Sequence, residues 1–153
     1  MDPDALAAAC AHACARWPEE ACGVIVRWRD GGRAFVAVPN VAADPRRGFE
    51  LDPAAQLRLW TEAAAGRLAL EAIVHSHPDG NPEFSEEDRA SATHEGRPLH
   101  PGLAWWILGI AGPPPRLVAA AVWRHFRGGW VGERLAVSDA VGGGLLRLLG
   151  KRV

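Results

Sequence analysis

Tyrosine is absent from the 153 residues, methionine occurs once and cysteine three times. The missing tyrosines, in a chain rich in alanine and arginine, reflect the coding bias of the source rather than a function. Cys10, Cys14 and Cys22 are odd in number and form no C-x-x-C pair, which argues against a disulfide framework and a thiolate zinc site. At i, i+4 on a helix, Cys10 and Cys14 read as small buried apolar residues. Charge of one sign is lacking as well. With 17 Lys and Arg against 18 Asp and Glu, the overall balance draws the chain neither to nucleic acid nor to an anionic membrane. No uncharged apolar run approaches the roughly 18 residues of a membrane span. Residues 1–16 lack a basic n-region, and His12 and Arg16 break their apolar run, so they do not read as a signal peptide. The expectation is a soluble, cytoplasmic protein with neither nucleic acid nor membrane as partner. Repeats and low-complexity segments are missing too. That leaves one domain over residues 1–137, with a tail, 138–153, whose Leu145-Leu146-Arg147-Leu148-Leu149 fits a short basic amphipathic helix.

What is present alternates between helical and extended patterns. An alanine-rich helix runs from Asp4 to Arg16 and is stopped by Pro18. Cys22–Arg29 and Arg33–Val38 read as strands joined by the Asp30-Gly31-Gly32 turn. After a loop from Asn40, Asp52 is an N-cap with Pro53 at the first helical position, opening a helix to about Ala65. Gly66 ends it, and the apolar run Leu68–Val74 follows as a strand. A third helix candidate spans Ser85–His94, then a polar loop Glu95–Pro101 and a buried strand Leu103–Ile110. Leu117–Phe126 and Trp130–Val137 close the pattern as a hairpin across Arg127-Gly128-Gly129. The sum is an α/β domain, an α+β mixed sheet with flanking helices and its site at strand ends.

The chemistry concentrates between Val74 and Asp88. His75 and His77 are one residue apart on an extended backbone, so both imidazoles share a face. Pro78, Gly80 and Pro82 force a loop, after which Ser85 stands at a helix N-cap with Asp88 three residues on as its capping-box partner. Two neutral imidazoles and a carboxylate make three ligands for one zinc ion, leaving the fourth tetrahedral position to water. His94 and His100 read as surface residues, since three ligands are already supplied.

His-Ser-His, seven residues, Ser, two residues, Asp resembles the JAMM (MPN+) metallopeptidase signature. The resemblance implies His75, His77 and Asp88 as zinc ligands, with Ser85 close to the reacting centre. Trp17-Pro18-Glu19-Glu20-Ala21-Cys22-Gly23, ahead of an apolar run, is similar to the family's upstream block and places the catalytic glutamate at Glu20. The asparagine, Asp-Pro and Phe-x-Leu-Asp-Pro pattern of residues 40–53 further resembles the bacterial and phage-tail branch. Phe84 departs from the family, which often has proline before the serine.

The resemblance implies the JAMM/MPN fold, related in plan to the cytidine deaminases. It also implies a zinc-dependent isopeptidase acting after the C-terminal glycine of a small ubiquitin-like or sulfur-carrier β-grasp protein. The alternative is a non-catalytic MPN-type scaffold or a phage-tail-assembly-like module. Other His-x-His enzymes fit less well. A metallo-β-lactamase needs a histidine where Gly80 stands, an amidohydrolase barrel needs about 250 residues, and a zinc deaminase needs an absent Pro-Cys-x-x-Cys.

Overall fold

A computed structural model describes residues 2–137. The tail 138–153, with its expected amphipathic helix, lies outside them. Helix α1 (Pro3–Arg16) is capped by Asp2 and leads into the β1 (Cys22–Trp28) and β2 (Arg33–Val38) hairpin. Helix α2 (Pro53–Ala64) is capped by Asp52, whose carboxylate accepts the Ala55 amide at 2.8 Å. Strand β3 (Leu68–His77) carries both histidines, and helix α3 (Glu86–Ala92) follows the loop after it. Strands β6 (Ala104–Ala111), β7 (Arg116–Phe126) and β8 (Gly129–Leu135) complete the main sheet.

The segment expected to be a polar loop differs. It contains a two-residue ladder, β4 (Thr93–His94) with β5 (Arg97–Pro98), turning through Glu95 and Gly96 at φ 49° and 74°. Extended pairing begins at Thr93, so α3 stops at Ala92 rather than reaching His94. Cys10 and Cys14 are partly rather than fully buried, packed against the core edge.

The six-stranded sheet has the order β2-β1-β3-β6-β7-β8. All pairs are antiparallel except β3 with β6, whose parallel pairing requires a crossover that carries α3. One face of the sheet packs on α1 through Leu6, Ala9 and Ala13, against Val74, Trp106, Leu108 and Ile110. The other face packs on α2 through Val24 and Val26, and on α3 through Ile73, Trp105 and Ile107. This mixed sheet with helices on both faces is the JAB/MPN plan expected from the sequence. No helix among the described residues is long and apolar enough to cross a membrane.

Register places the site. Cys22 pairs with His75 in antiparallel sense, so the residues just before β1 run beside the C-terminal end of β3. Ser76 fixes that alignment twice: its amide donates to the Ala21 carbonyl and its Oγ accepts the Ala21 amide, both at 2.9 Å. On the other side His77 pairs with Gly109, where a Cβ would collide with the Gly80 carbonyl. Gly80 has φ 83°, and together the two glycines let the loop after His77 lie flat across the sheet.

Candidate metal centre and catalytic cleft

The pleat of β3 directs the rings of His75 and His77 to the α3 side and turns Ser76 to the other. At the start of α3, Ser85 Oγ accepts the Asp88 amide at 3.0 Å while Asp88 Oδ2 accepts the Ser85 amide at 2.9 Å. That reciprocal box holds the carboxylate over the strand end. His75 Nε2 lies 3.0 Å from Asp88 Oδ1, His77 Nε2 lies 3.4 Å from Asp88 Oδ2, and the two Nε2 atoms are 3.1 Å apart.

The donor set fits a divalent cation. Ligand atoms about 2.0–2.1 Å from a tetrahedral zinc stand about 3.3 Å from each other, close to the three separations above. His77 Nδ1 contacts the Asn81 carbonyl at 2.7 Å, so in the neutral ring Nδ1 carries the proton and Nε2 presents its lone pair. His75 is oriented by packing instead. Phe49 stacks on its ring at 4.4 Å, Trp105 meets it edge-on at 6.0 Å, and its buried Nδ1 has no hydrogen-bond partner among the described residues.

Electrostatics prepares the same donors. Burial would raise Asp88, but its bonds to the two imidazoles and to Ser85, with the charge of His75, hold it well below the usual carboxylate range. His75 is pushed down by burial, against the pull of Asp88. Burial acts downward on His77 as well, but Asp88, Glu20 and the Asn81 carbonyl together raise it.

Glu20 faces this triangle from the β1 side. One of its carboxylate oxygens and a ring nitrogen of each histidine all lie within 4.8 Å of one another. Glu20 is buried, and that burial pushes its carboxyl up to about 7, with Asp88 and Asp79 adding to the rise and His77 opposing it. Both of its backbone polar groups are held: the amide donates to the Pro45 carbonyl at 2.6 Å, and the carbonyl accepts from Asn40 Nδ2 at 2.9 Å.

All five residues singled out in the sequence, Glu20, His75, His77, Ser85 and Asp88, therefore converge at one end of the sheet. The model of prokaryotic homologs of the JAB domain matches residues 2–126. This chain belongs to the prokaryotic JAB family. Among curated proteins, this JAB chain is 37% identical over 90 residues to tail tip assembly protein K of Escherichia phage N15, covering 59% of this chain and 35% of that protein. It is 35% identical over 81 residues to desampylase of Haloferax volcanii, covering 52% of this chain and 58% of that protein. The matched regions thus span about a third and somewhat over half of those relatives.

Two solution structures share the fold. A Desulfitobacterium hafniense protein aligns with a TM-score of 0.58 at 24% identity, covering 88% of this chain and 89% of its own. A Salinibacter ruber protein aligns with a TM-score of 0.51 at 22% identity, covering 95% and 97%.

In this JAB domain a cleft of about 110 Å³ lies over the site, lined by Glu20, Arg47, Phe49, Ser85, Glu87 and Asp88. It shares Glu20, Arg47, Ser85 and Glu87 with a charged pocket of about 350 Å³ that is also bordered by Arg46, His77, Asp79 and Glu83. A larger hollow, about 450 Å³, lies on the α1 face between Asp2 and Glu133 and reaches none of these groups. His94 is exposed and His100 packs edge-on to Trp60 at 5.1 Å, so neither joins the group.

The sequence reading missed two positioning side chains. Ser76 is hidden between the histidines, and Asn40 stands in a recognised pattern without a role. The signal for Asn40 was there: an asparagine opening a long loop can bond backbone on both sides.

Proposed function

We propose that this chain is a zinc-dependent isopeptidase that hydrolyses the amide bond after the C-terminal glycine of a small ubiquitin-like or sulfur-carrier β-grasp protein. The observation that carries the reading is the convergence of His75, His77 and Asp88 on one point with Glu20 across from it. The relative named desampylase supports the substrate class. His75, His77 and Asp88 would hold the ion. A zinc ion there supplies a Lewis acid and lowers the pKa of a water from near 16 toward about 7.

The chain's own residues do the rest. The Glu20 carboxylate accepts a proton from the attacking water as its oxygen bonds to the scissile carbonyl carbon. When the C–N bond breaks, Glu20 returns that proton to the leaving nitrogen, giving a glycine carboxylate and a free amine. Ser85 Oγ uses a lone pair on the Asp88 amide and keeps its O–H to donate to the carbonyl oxygen as negative charge gathers there. The narrow cleft over Glu20 and Ser85 suits a chain without bulky side chains at the cut, as a C-terminal glycine provides.

The likeness to a phage tail assembly protein keeps a non-catalytic module in view, and one experiment separates the two. Zinc-loaded protein is incubated with a β-grasp protein bearing a C-terminal extension, and the products are weighed by mass spectrometry. Cleavage after the glycine, lost on chelation and in Glu20→Gln while that variant keeps stoichiometric zinc, is the expected result. Undiminished cleavage by Glu20→Gln would overturn the role of Glu20. No cleavage of any β-grasp substrate by the zinc-loaded chain would favour the non-catalytic module.

A further inference from the structure

Helix α3 has seven residues, too few to be stable alone. The place of Asp88 therefore depends on what holds the ends of this helix. Phe84, the residue before the cap and the one that departs from the family's proline, is 5% exposed. Its ring stacks on Trp123 at 5.6 Å, meets Trp105 edge-on at 5.6 Å and tilts against Trp130 at 4.8 Å. Trp105 also packs edge-on to His75, so ligand strand and ligand helix lean on the same indole. Arg89, one residue after Asp88, closes the cluster with its guanidinium 5.3 Å from the Phe84 ring and 5.6 Å from that of Trp123.

Trp123 and Trp130 come from the β7–β8 hairpin, and each makes a directional bond to one end of α3. Trp123 Nε1 donates to the Pro82 carbonyl ahead of the cap at 3.2 Å. Trp130 Nε1 donates to Oγ1 of Thr93, the C-cap, at 3.1 Å. Arg134 on β8 pairs with Glu83 in the same loop. The outer edge of the sheet is thereby fastened to both ends of the helix that carries Asp88.

We propose that Phe84, Trp123 and Trp130 form an aromatic clasp of positioning residues that sets the separation of Asp88 from His75 and His77, making the β7–β8 hairpin part of the metal site. The proposal rests on the metal reading above and concerns how the donors are held. Its test is a Co²⁺ titration of the purified chain, reading affinity and the visible absorption of the tetrahedral ion, beside the melting temperature of the metal-free protein. Phe84→Ala should weaken binding about tenfold or more, the effect usual for residues supporting metal ligands, and dim the absorption. Phe84→Leu, which keeps most of the bulk, should restore most of the affinity.

Leu6→Ala, in the core on the opposite sheet face, is the control for stability alone. It should lower the melting temperature at least as much and leave affinity within about threefold, well inside the change expected for loss of a ligand support. If Phe84→Ala does not fold, Trp130→Phe carries the test, since it keeps a ring and loses only the bond to Thr93; it too should weaken binding. Native affinity and spectrum in Phe84→Ala or, failing that, in Trp130→Phe would overturn the proposal, as would equal weakening by Leu6→Ala. A native chain that takes up no Co²⁺ would overturn the metal reading itself, and this proposal with it.

Discussion

Replacing Asn40 by alanine removes one side chain and four hydrogen bonds. Its Nδ2 donates to the carbonyls of Glu20 and Gly48 at 2.9 and 3.0 Å, and its Oδ1 accepts from the amides of Ala42 and Glu50 at 3.0 and 3.1 Å. At about 1 kcal/mol net per bond the ceiling is about 4 kcal/mol. These groups are only partly buried, so water recovers some of them and the expected cost is about 2 kcal/mol. For a chain of this size that is a fall of about 4–8 °C in melting temperature. The functional effect is more selective. Glu20 loses the bond to its carbonyl, and the loop that accepts its amide at Pro45 loses its anchor. His75, His77 and Asp88 sit on β3 and the α3 cap, and Asn40 reaches them only indirectly, through Gly48 and Glu50 on either side of the Phe49 that stacks on His75. Asn40→Ala should therefore weaken zinc by no more than about tenfold, the effect usual for residues supporting metal ligands, yet lose far more in turnover at saturating substrate. Thermal melts, zinc titration and single-turnover cleavage test this together. Loss of zinc affinity matching the loss of turnover would refute the division of labour between the loop and the ligand elements. Asn40→Asp should not rescue, since it keeps the acceptor but turns a carboxylate toward two carbonyl oxygens.

Two further outcomes follow from the same geometry. Gly109→Ala should lift the loop after His77, because the new Cβ meets the backbone of Gly80 rather than a movable side chain. Disturbing the His77–Asn81 contact should weaken zinc about tenfold, and an unchanged affinity by titration would show that the loop does not orient His77. Ser85→Ala should lose about 1 kcal/mol of cap energy and about a hundredfold or more in turnover, whereas Ser85→Thr keeps the cap. Full turnover in Ser85→Ala would remove this hydroxyl from the chemistry.

Local rules made much of this legible. The alternation of β3, the Ser85–Asp88 capping box and the Asp52-Pro53 helix start depend on neighbours within a few residues, and each appears at its expected place. Contacts made at long range were not legible. Trp123 reaches Pro82 across 41 positions and Asn40 reaches Glu20 across 20, and no periodicity announces either. The Phe84 departure from proline could be seen in the sequence, but the tryptophans that receive its ring come from β6, β7 and β8. The small β4–β5 hairpin escaped because two-residue strands have no alternation to read, and Glu95 adopts a positive φ that local rules reserve mainly for glycine and asparagine.

The most direct measurement is a crystal structure of the zinc-loaded chain with the ion located by anomalous scattering. Two carboxylates flank the imidazole pair, so the result discriminates between them. One ion is expected about 2.0–2.2 Å from Nε2 of His75, Nε2 of His77 and an oxygen of Asp88, with Glu20 outside direct coordination. An ion bound through Glu20 in place of Asp88, or no ion between the two histidines, would contradict this assignment of ligands and base.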